Sequence, residues 1–328
     1  MPLDGDGFVS SFAPDDADGI CAFFGTYGLV VVEGVLGDAE CERSRSELWD
    51  FIERRIPGLS RELPQTWERW PSLSGLGILG NTFNVSPQLC ANRQSPACHR
   101  AFSALFGTER LLVNVGRASV MRPTVGVPWP DAAGGTVLVE KREWRSKPGR
   151  EWLHWDMNPF TGASSTFSWR LRDMHANRGY ERLSVQGILA LGDCGADDGG
   201  FYCVPGSHKV VRGWANANGA TVADKSVQSP ESSCQIYLPG GDPMKDNAQR
   251  APIREGSLLV WDSKLAHCNF PNASANLRMV QYIQMIRAED PVVGPLFTDE
   301  NLLPPTAELE LSQLGRRLYG FEPWPRPL

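Results

Sequence analysis

In the stretch EWLHWDMNPF, residues 151–160, a histidine and an aspartate stand two positions apart, His154 and Asp156. On a strand, side chains at i and i+2 leave the same face, so this imidazole and this carboxylate can share one ion. A nitrogen donor beside a carboxylate oxygen suits a borderline divalent metal such as iron, and two histidines with one carboxylate leave positions open for substrate and oxygen. An HxD pair arises often by chance and needs a third ligand. The segment EGSLLVWDSKLAHCNFPNASANLRMVQYIQM offers His267 at the close of one strand and Arg278 eleven residues later on the next. A turn through Pro271, Asn272 and Ser274 would bring Arg278 back beside His267. Alternation in NLRMVQYIQ sets Arg278, Val280, Tyr282 and Gln284 on one face and Leu277, Met279, Gln281 and Ile283 on the other. If the first set faces inward, Arg278 is a buried cation in need of an anion. A dicarboxylate would meet its guanidinium fork with two hydrogen bonds. Facing outward, it is a surface arginine.

The elements that must hold these residues fall into three zones. Residues 1–108 read as a mainly helical support with one early strand: PDDADGICAFFGTYG as a capped helix ended by Gly28, LVVVEGV as a strand, and GDAECERSRSELWDFIERRI as an amphipathic helix stopped at Pro57. Residues 109–288 are strand after strand between Gly, Pro, Asn and Asp: RLLVNVGRASVMRP, GTVLVEKREW, EWLHWD, LSVQGILALGD, GGFYCVPGSH, CQIYLPGG, GSLLVWDSKLAHC and NLRMVQYIQMIRAE. Some eight strands with little helix between them predict a jelly roll or a closed barrel. Residues 289–328 are Pro-rich with one helix, TAELELSQLGRRLYG, expected on the barrel's outside.

With 32 basic and 38 acidic residues and a net charge of -6, the chain has no general electrostatic reason to sit on phosphate backbones or anionic lipid. Small molecules or proteins are the expected partners. No apolar run approaches the roughly 18 residues that span a bilayer, and MPLDGDGFVS lacks the basic and apolar regions of a secretion signal. The expected protein is soluble and cytoplasmic, without contact to membrane or nucleic acid; its oligomeric state is open. Eight cysteines (Cys21, Cys41, Cys90, Cys98, Cys194, Cys203, Cys234, Cys268) form no CxxC and read as reduced, mostly buried thiols.

HxD, a distal histidine and an arginine eleven residues after it resemble the iron(II) and 2-oxoglutarate dependent dioxygenases, specifically the phytanoyl-CoA dioxygenase-like family. Two further segments share the resemblance: DDGGFYCVPGSHK at 197–209, with its acidic-Gly-Gly start and Pro-Gly-Ser-His end, and YGLVVVEGVLGDAE near the N-terminus. Together they cover most of residues 20–288. The resemblance implies a mainly β fold with flanking helices, a double-stranded β-helix or cupin-like jelly-roll barrel in a single domain. It implies Fe(II) with 2-oxoglutarate and O2 as cosubstrates, His154, Asp156 and His267 as metal ligands, and Arg278 as partner of the distal carboxylate of 2-oxoglutarate. Related halogenases carry a small residue at the position of Asp156, so hydroxylation is expected, with desaturation or ring closure open.

Around this core, Arg117, Ser119 and Met121 lie on an early strand that lines the cosubstrate pocket in such enzymes, and Gln186 and Asn158 are second candidates near the metal, Gln186 for the cosubstrate and Asn158 for the substrate. Asn269 and Met157 depart from the family's pattern, and Asn269 is still a candidate for binding the cosubstrate. The stretch from Thr161 to Arg182, with Trp169, Arg172 and His175, is expected to be a substrate-contacting lid. His208 is expected to be structural and His99 to be a core or surface histidine. The expected reaction hydroxylates a small organic molecule while 2-oxoglutarate becomes succinate and CO2. The alternatives are an oxygenase of a protein side chain or nucleic-acid base, and a silent metal-binding barrel acting as an interaction module.

Overall fold

The computed structural model describes residues 1–71, 77–79, 86–114, 116–160, 183–223, 236–289 and 310–325. Its N-terminal part holds β1 (Ser11–Phe12), α1 (Ala17–Tyr27), β2 (Leu29–Val32), α2 (Asp38–Arg55), α3 (Pro87–Arg93) and α4 (Pro96–Phe106). The strands β3 (Leu111–Asn114), β4 (Ala118–Met121), β5 (Val127–Pro130), β6 (Thr136–Val139), β7 (His154–Trp155), β8 (Val185–Ala190) and β9 (Gly200–Cys203) follow. Then come α5 (Val211–Ala223), β10 (Ile236–Tyr237), β11 (Gln249–Arg250), β12 (Leu258–Asp262), β13 (His267–Phe270), β14 (Arg278–Arg287) and α6 (Gln313–Leu318).

Two sheets face each other as a jelly roll without closing into one barrel. The major sheet runs β1, β2, β12, β8, β14, β3, with β4 also on β14; the minor sheet runs β10, β7, β13, β9, β11. Helices cover the outer face of the major sheet. The amide of Gln281 on β14 donates to Leu89 O of α3 at 2.8 Å and accepts from Asn92 at 2.9 Å. On α2, the buried Cys41, Ser44, Leu48 and Ile52 recur at helical spacing, which turns that one face inward. Glu40 bonds back to the Gly37 N–H at 2.8 Å, Arg54 and Arg55 close the last turn, and the helix ends just before Pro57. Residues from all three sequence zones, from Val9 to Tyr319, join one hydrophobic core. The C-terminal α6 packs on α3 and β3 from outside, the Tyr319 hydroxyl donating to Cys90 O at 3.0 Å.

Three expected strands and one expected connection differ. RLLVNVGRASVMRP is two strands on one partner: Gln284 pairs with Asn114, whereas Gln281 pairs with Ala118, so an extra residue bulges near Gly116. A Cβ there would lie 2.7 Å from the Tyr282 carbonyl oxygen, which is why glycine stands at the bulge. GTVLVEKREW is no part of either sheet; β5 and β6 form a separate hairpin with Leu138 exposed, pinned by Lys141 Nζ 3.7 Å above the Trp129 ring. GSLLVWDSKLAHC is split between the sheets, β12 in the major and β13 in the minor, so His267 opens a strand rather than closing one. The return to Arg278 is likewise a crossover between sheets, not a hairpin, because β13 pairs with β7 and β9 while β14 pairs with β8, β3 and β4.

The Pro-Gly-Ser-His turn buttresses α1. His208 Nε2 meets Gly25 O at 3.3 Å, its Nδ1 has no hydrogen-bond partner, and burial pushes the imidazole down to about 4. The folded state therefore favours neutral His208, while the unfolded chain takes up a proton near 6.5. Stability tied to this residue is present above that value and is lost as pH falls from about 6.5 to about 4. Melting curves across this window are expected to fall less steeply for His208→Gln than for the natural protein; parallel curves would show that His208 does not contribute.

The described cysteines are free thiols and, apart from Cys21, buried. Among the described residues no helix is long and apolar enough to cross a membrane. His99 is a core histidine, its Nε2 2.7 Å from Glu109 O and its ring stacked on Trp324.

Candidate metal centre

The minor sheet sets the centre by register. His267 on β13 is the direct partner of His154 on β7, so the two rings lie side by side with centroids 4.7 Å apart. β7 ends at Trp155, and Asp156 follows immediately after it. One nitrogen or oxygen from each of His154, Asp156 and His267 lies within 4.8 Å of the others. His154 Nε2 is 3.5 Å from Asp156 Oδ1, and His267 Nε2 is 3.3 Å from Asp156 Oδ2.

The other ring nitrogens decide what these atoms can do. His154 Nδ1 lies 2.9 Å from Trp152 O, and His267 Nδ1 lies 2.9 Å from Leu265 O. A carbonyl only accepts, so in each neutral ring Nδ1 carries the proton and Nε2 turns a lone pair toward Asp156. Two lone pairs and a carboxylate converging on one point is the donor set of a divalent metal site. Burial raises the Asp156 carboxyl, but hydrogen bonds and charge from His154 and His267 in their cationic form outweigh this and hold it well below the usual carboxylate range; a bound metal would supply that positive charge in place of the Nε2 protons. Gln186, on β8 of the opposite sheet, donates its amide to Asp156 Oδ2 at 2.5 Å. Packed rings fix the imidazoles: Trp152 stacks on His154 at 5.5 Å, and Phe201 stacks on His267 at 5.4 Å, with Trp261 at 5.2 Å.

Arg278 faces inward with the expected alternate set. It is 1% exposed, and Nη1 donates to Ser119 Oγ at 3.2 Å. Its Nε and Nη2 have no hydrogen-bond partner, and among the described residues no carboxylate lies within 4.0 Å of it. The nearby Cys194 thiol is pushed up to about 11 by burial, against the pull of the Arg278 charge, and supplies no anion. A Cβ on Gly200, whose φ is +130°, would lie 3.1 Å from Arg278 Nε, so the second glycine of DDGG leaves room for the guanidinium. Gly200 is opposite Phe270, three residues along β13 from His267, or about 10 Å.

The remaining expected residues are spread around this axis. Asn269, two positions after His267, donates to the Tyr282 hydroxyl at 3.3 Å across the two sheets, and the Arg117 guanidinium lies 5.8 Å from the Tyr282 ring centre. Asn158 is fully buried and its Oδ1 accepts from the Phe160 N–H at 2.8 Å, closing a local turn. Trp169, Arg172 and His175, with the expected lid 161–182, lie outside the described residues. Tyr237 escapes sequence reasoning: β10 pairs it with His154, ring centres 5.6 Å apart, and it is 52% exposed beside the centre. No motif marks it, because only the register of an edge strand puts it there. Tyr282 was marked only by its place in the inward set.

A two-sheet jelly roll with a His-Asp-His cluster between the sheets defines a metal-site β protein of the cupin-like kind. Residues 93–280 match the phytanoyl-CoA dioxygenase (PhyH) family, and the chain belongs to it. Membership carries with it the iron, 2-oxoglutarate and dioxygen expected from the sequence. The chain is 24% identical over 323 residues to a Dictyostelium discoideum protein named "Putative phytanoyl-CoA dioxygenase", covering 87% of this chain and 85% of that one. In fold it is similar to GIG2 (DUF1479) from Candida albicans, at TM-score 0.59 and 14% identity, covering 97% of this chain and 81% of that one. It is also similar to the non-heme alpha ketoglutarate dependent epimerase SnoN from nogalamycin biosynthesis, at TM-score 0.50 and 16% identity, covering 84% of each chain.

Proposed function

We propose that the protein is an iron(II) and 2-oxoglutarate dependent oxygenase that hydroxylates a small organic molecule, with His154, Asp156 and His267 as the metal ligands. The observation that carries this reading is the pair of imidazoles whose Nδ1 atoms are both tied to carbonyls, so that both Nε2 lone pairs meet at Asp156. When bound, iron with 2-oxoglutarate and dioxygen supplies an oxidant able to break a substrate C–H bond, while the cosubstrate ends as succinate and CO2. The chain's part is to bind, orient and exclude water. Arg278, whose Nε and Nη2 are unpaired, would hold the distal carboxylate, a charge-assisted pairing that would satisfy its buried cation. Asn269 and Tyr282 reach across between that end and the metal, and Arg117 sits against Tyr282. Gln186 orients the Asp156 carboxylate, and the rings of Trp152, Phe201 and Trp261 keep the imidazoles from turning.

The test is anaerobic addition of iron(II) and then 2-oxoglutarate, watching for the weak visible charge-transfer band of the chelate. The band should form only when both are present, and admission of oxygen should release succinate. Its absence at saturating metal would refute the reading.

A further inference from the structure

The face of the major sheet that looks across at the metal centre carries one continuous polar row. Register pairs Trp261 with Gln186 and Gln284 with Asn114. Ile283 opposite Gly187 sets Gln284 beside Gln186, so that Trp261, Gln186, Gln284 and Asn114 follow one another across β12, β8, β14 and β3. All four share the inward face, because paired residues of neighbouring strands point the same way. Two members already have tasks: Gln186 closes on Asp156, and the Trp261 ring packs on His267.

The donors left over in this row point to a ligand. Gln284 is 8% exposed and its Nε2 has no hydrogen-bond partner; Trp261 is 2% exposed and its Nε1 has none either. Buried donors are nearly always satisfied, and exceptions call for a role. Gln284 lies six residues from Arg278 along β14, about 20 Å away, whereas the metal level lies about 10 Å from Arg278. The row therefore runs past the metal: Gln186 and Trp261 touch its ligands, and the Gln284–Asn114 end lies one to two strands to the side, far from the cosubstrate's distal end.

We propose that the Gln284–Asn114 end of this row binds the primary substrate through an oxygen acceptor, a carbonyl, carboxylate or amide group; this rests on the oxygenase reading above. Neighbouring strands are about 4.8 Å apart, so the acceptor is held one to two strand spacings, roughly 5–10 Å, from the carbon presented to the metal. Gln284 is a specificity-determining residue in this scheme, and a substrate that offers only donors or only hydrocarbon leaves its amide unmet.

The experiment uses the full chain loaded anaerobically with iron(II) and 2-oxoglutarate, and titrates hexanamide, hexanoate and hexylamine while following the chelate band. Hexanamide and hexanoate should shift the band saturably, and hexylamine should not. Gln284→Leu should weaken hexanamide about tenfold, the loss of one or two hydrogen bonds. It should also leave the 2-oxoglutarate requirement unchanged and raise the melting temperature of the metal-free protein, since a buried unmet donor is gone. Gln284→Glu should weaken hexanoate more than hexanamide, because like charges meet. Natural affinity in Gln284→Leu, a lowered melting temperature in that variant, or no response of the natural protein to either acceptor probe overturns the inference while the band upholds the oxygenase reading. Failure of the band itself overturns that reading and takes the inference with it.

Discussion

Asp156→Ala is expected to give a folded protein that retains no stoichiometric iron. Of the three converging side chains, only Asp156 brings a negative charge, and its two oxygens face the two Nε2 atoms at 3.5 and 3.3 Å. Without it, two neutral imidazoles would have to hold a dication between buried rings, with nothing to offset the loss of hydration. The fold should tolerate the change. Gln186 loses an acceptor, a cost of about 1–3 kcal/mol, while the removal of a desolvated carboxylate offsets part of it. His154→Ala and His267→Ala should lose iron as well, since each removes one of the oriented lone pairs. Metal analysis beside circular dichroism decides the matter, and full occupancy in any two of the three variants would sink the ligand assignment.

The second large effect falls on Arg278. Removing one partner of a desolvated charge pair costs about 2–5 kcal/mol, so Arg278→Leu should raise the 2-oxoglutarate concentration needed for turnover by about 30-fold to several-thousand-fold. Iron binding without cosubstrate should hardly change, because Arg278 reaches Ser119 rather than any of the three converging side chains. The metal-free variant should also melt higher, since a buried cation with two unmet donors is replaced by a hydrocarbon of similar size. Arg278→Lys should rescue only part of the affinity, as an ammonium cannot match a carboxylate with two parallel bonds. An unchanged 2-oxoglutarate dependence in Arg278→Leu would rule out its role.

How much of this was legible in the sequence depends on the range over which each feature is set. The inward turn of Arg278 could be read because β14 runs without a bulge of its own, so simple alternation holds from Arg278 to Gln284. The approach of His154 to Asp156 is equally local. Which sheet a strand joins is not local: β12 and β13 are separated by a short turn, yet they lie in different sheets, and no residue between Asp262 and His267 announces the crossing. The same limit hid Tyr237, brought to His154 only by pairing across eighty residues of chain. It hid the neighbourhood of Gln284 and Asn114 too, because the bulge near Gly116 shifts that register by one. The β5–β6 hairpin misled for another reason: TVLV has the β-branched composition of a core strand but lies largely exposed on its own turn.

The pairing of β2 with β12 has a consequence for how the chain is made. Leu29, Val30, Val31 and Val32 are buried on both faces, yet their central partner on β12 lies more than two hundred residues downstream. At a translation rate of roughly 5–20 residues per second, a strand of four aliphatic residues waits on the order of ten seconds or longer with its hydrogen-bonding edge unmatched. Such a segment is prone to pair with the wrong neighbour. α1 packs on β2 and precedes it on the ribosome, so it is the element at hand to shield that strand during the wait.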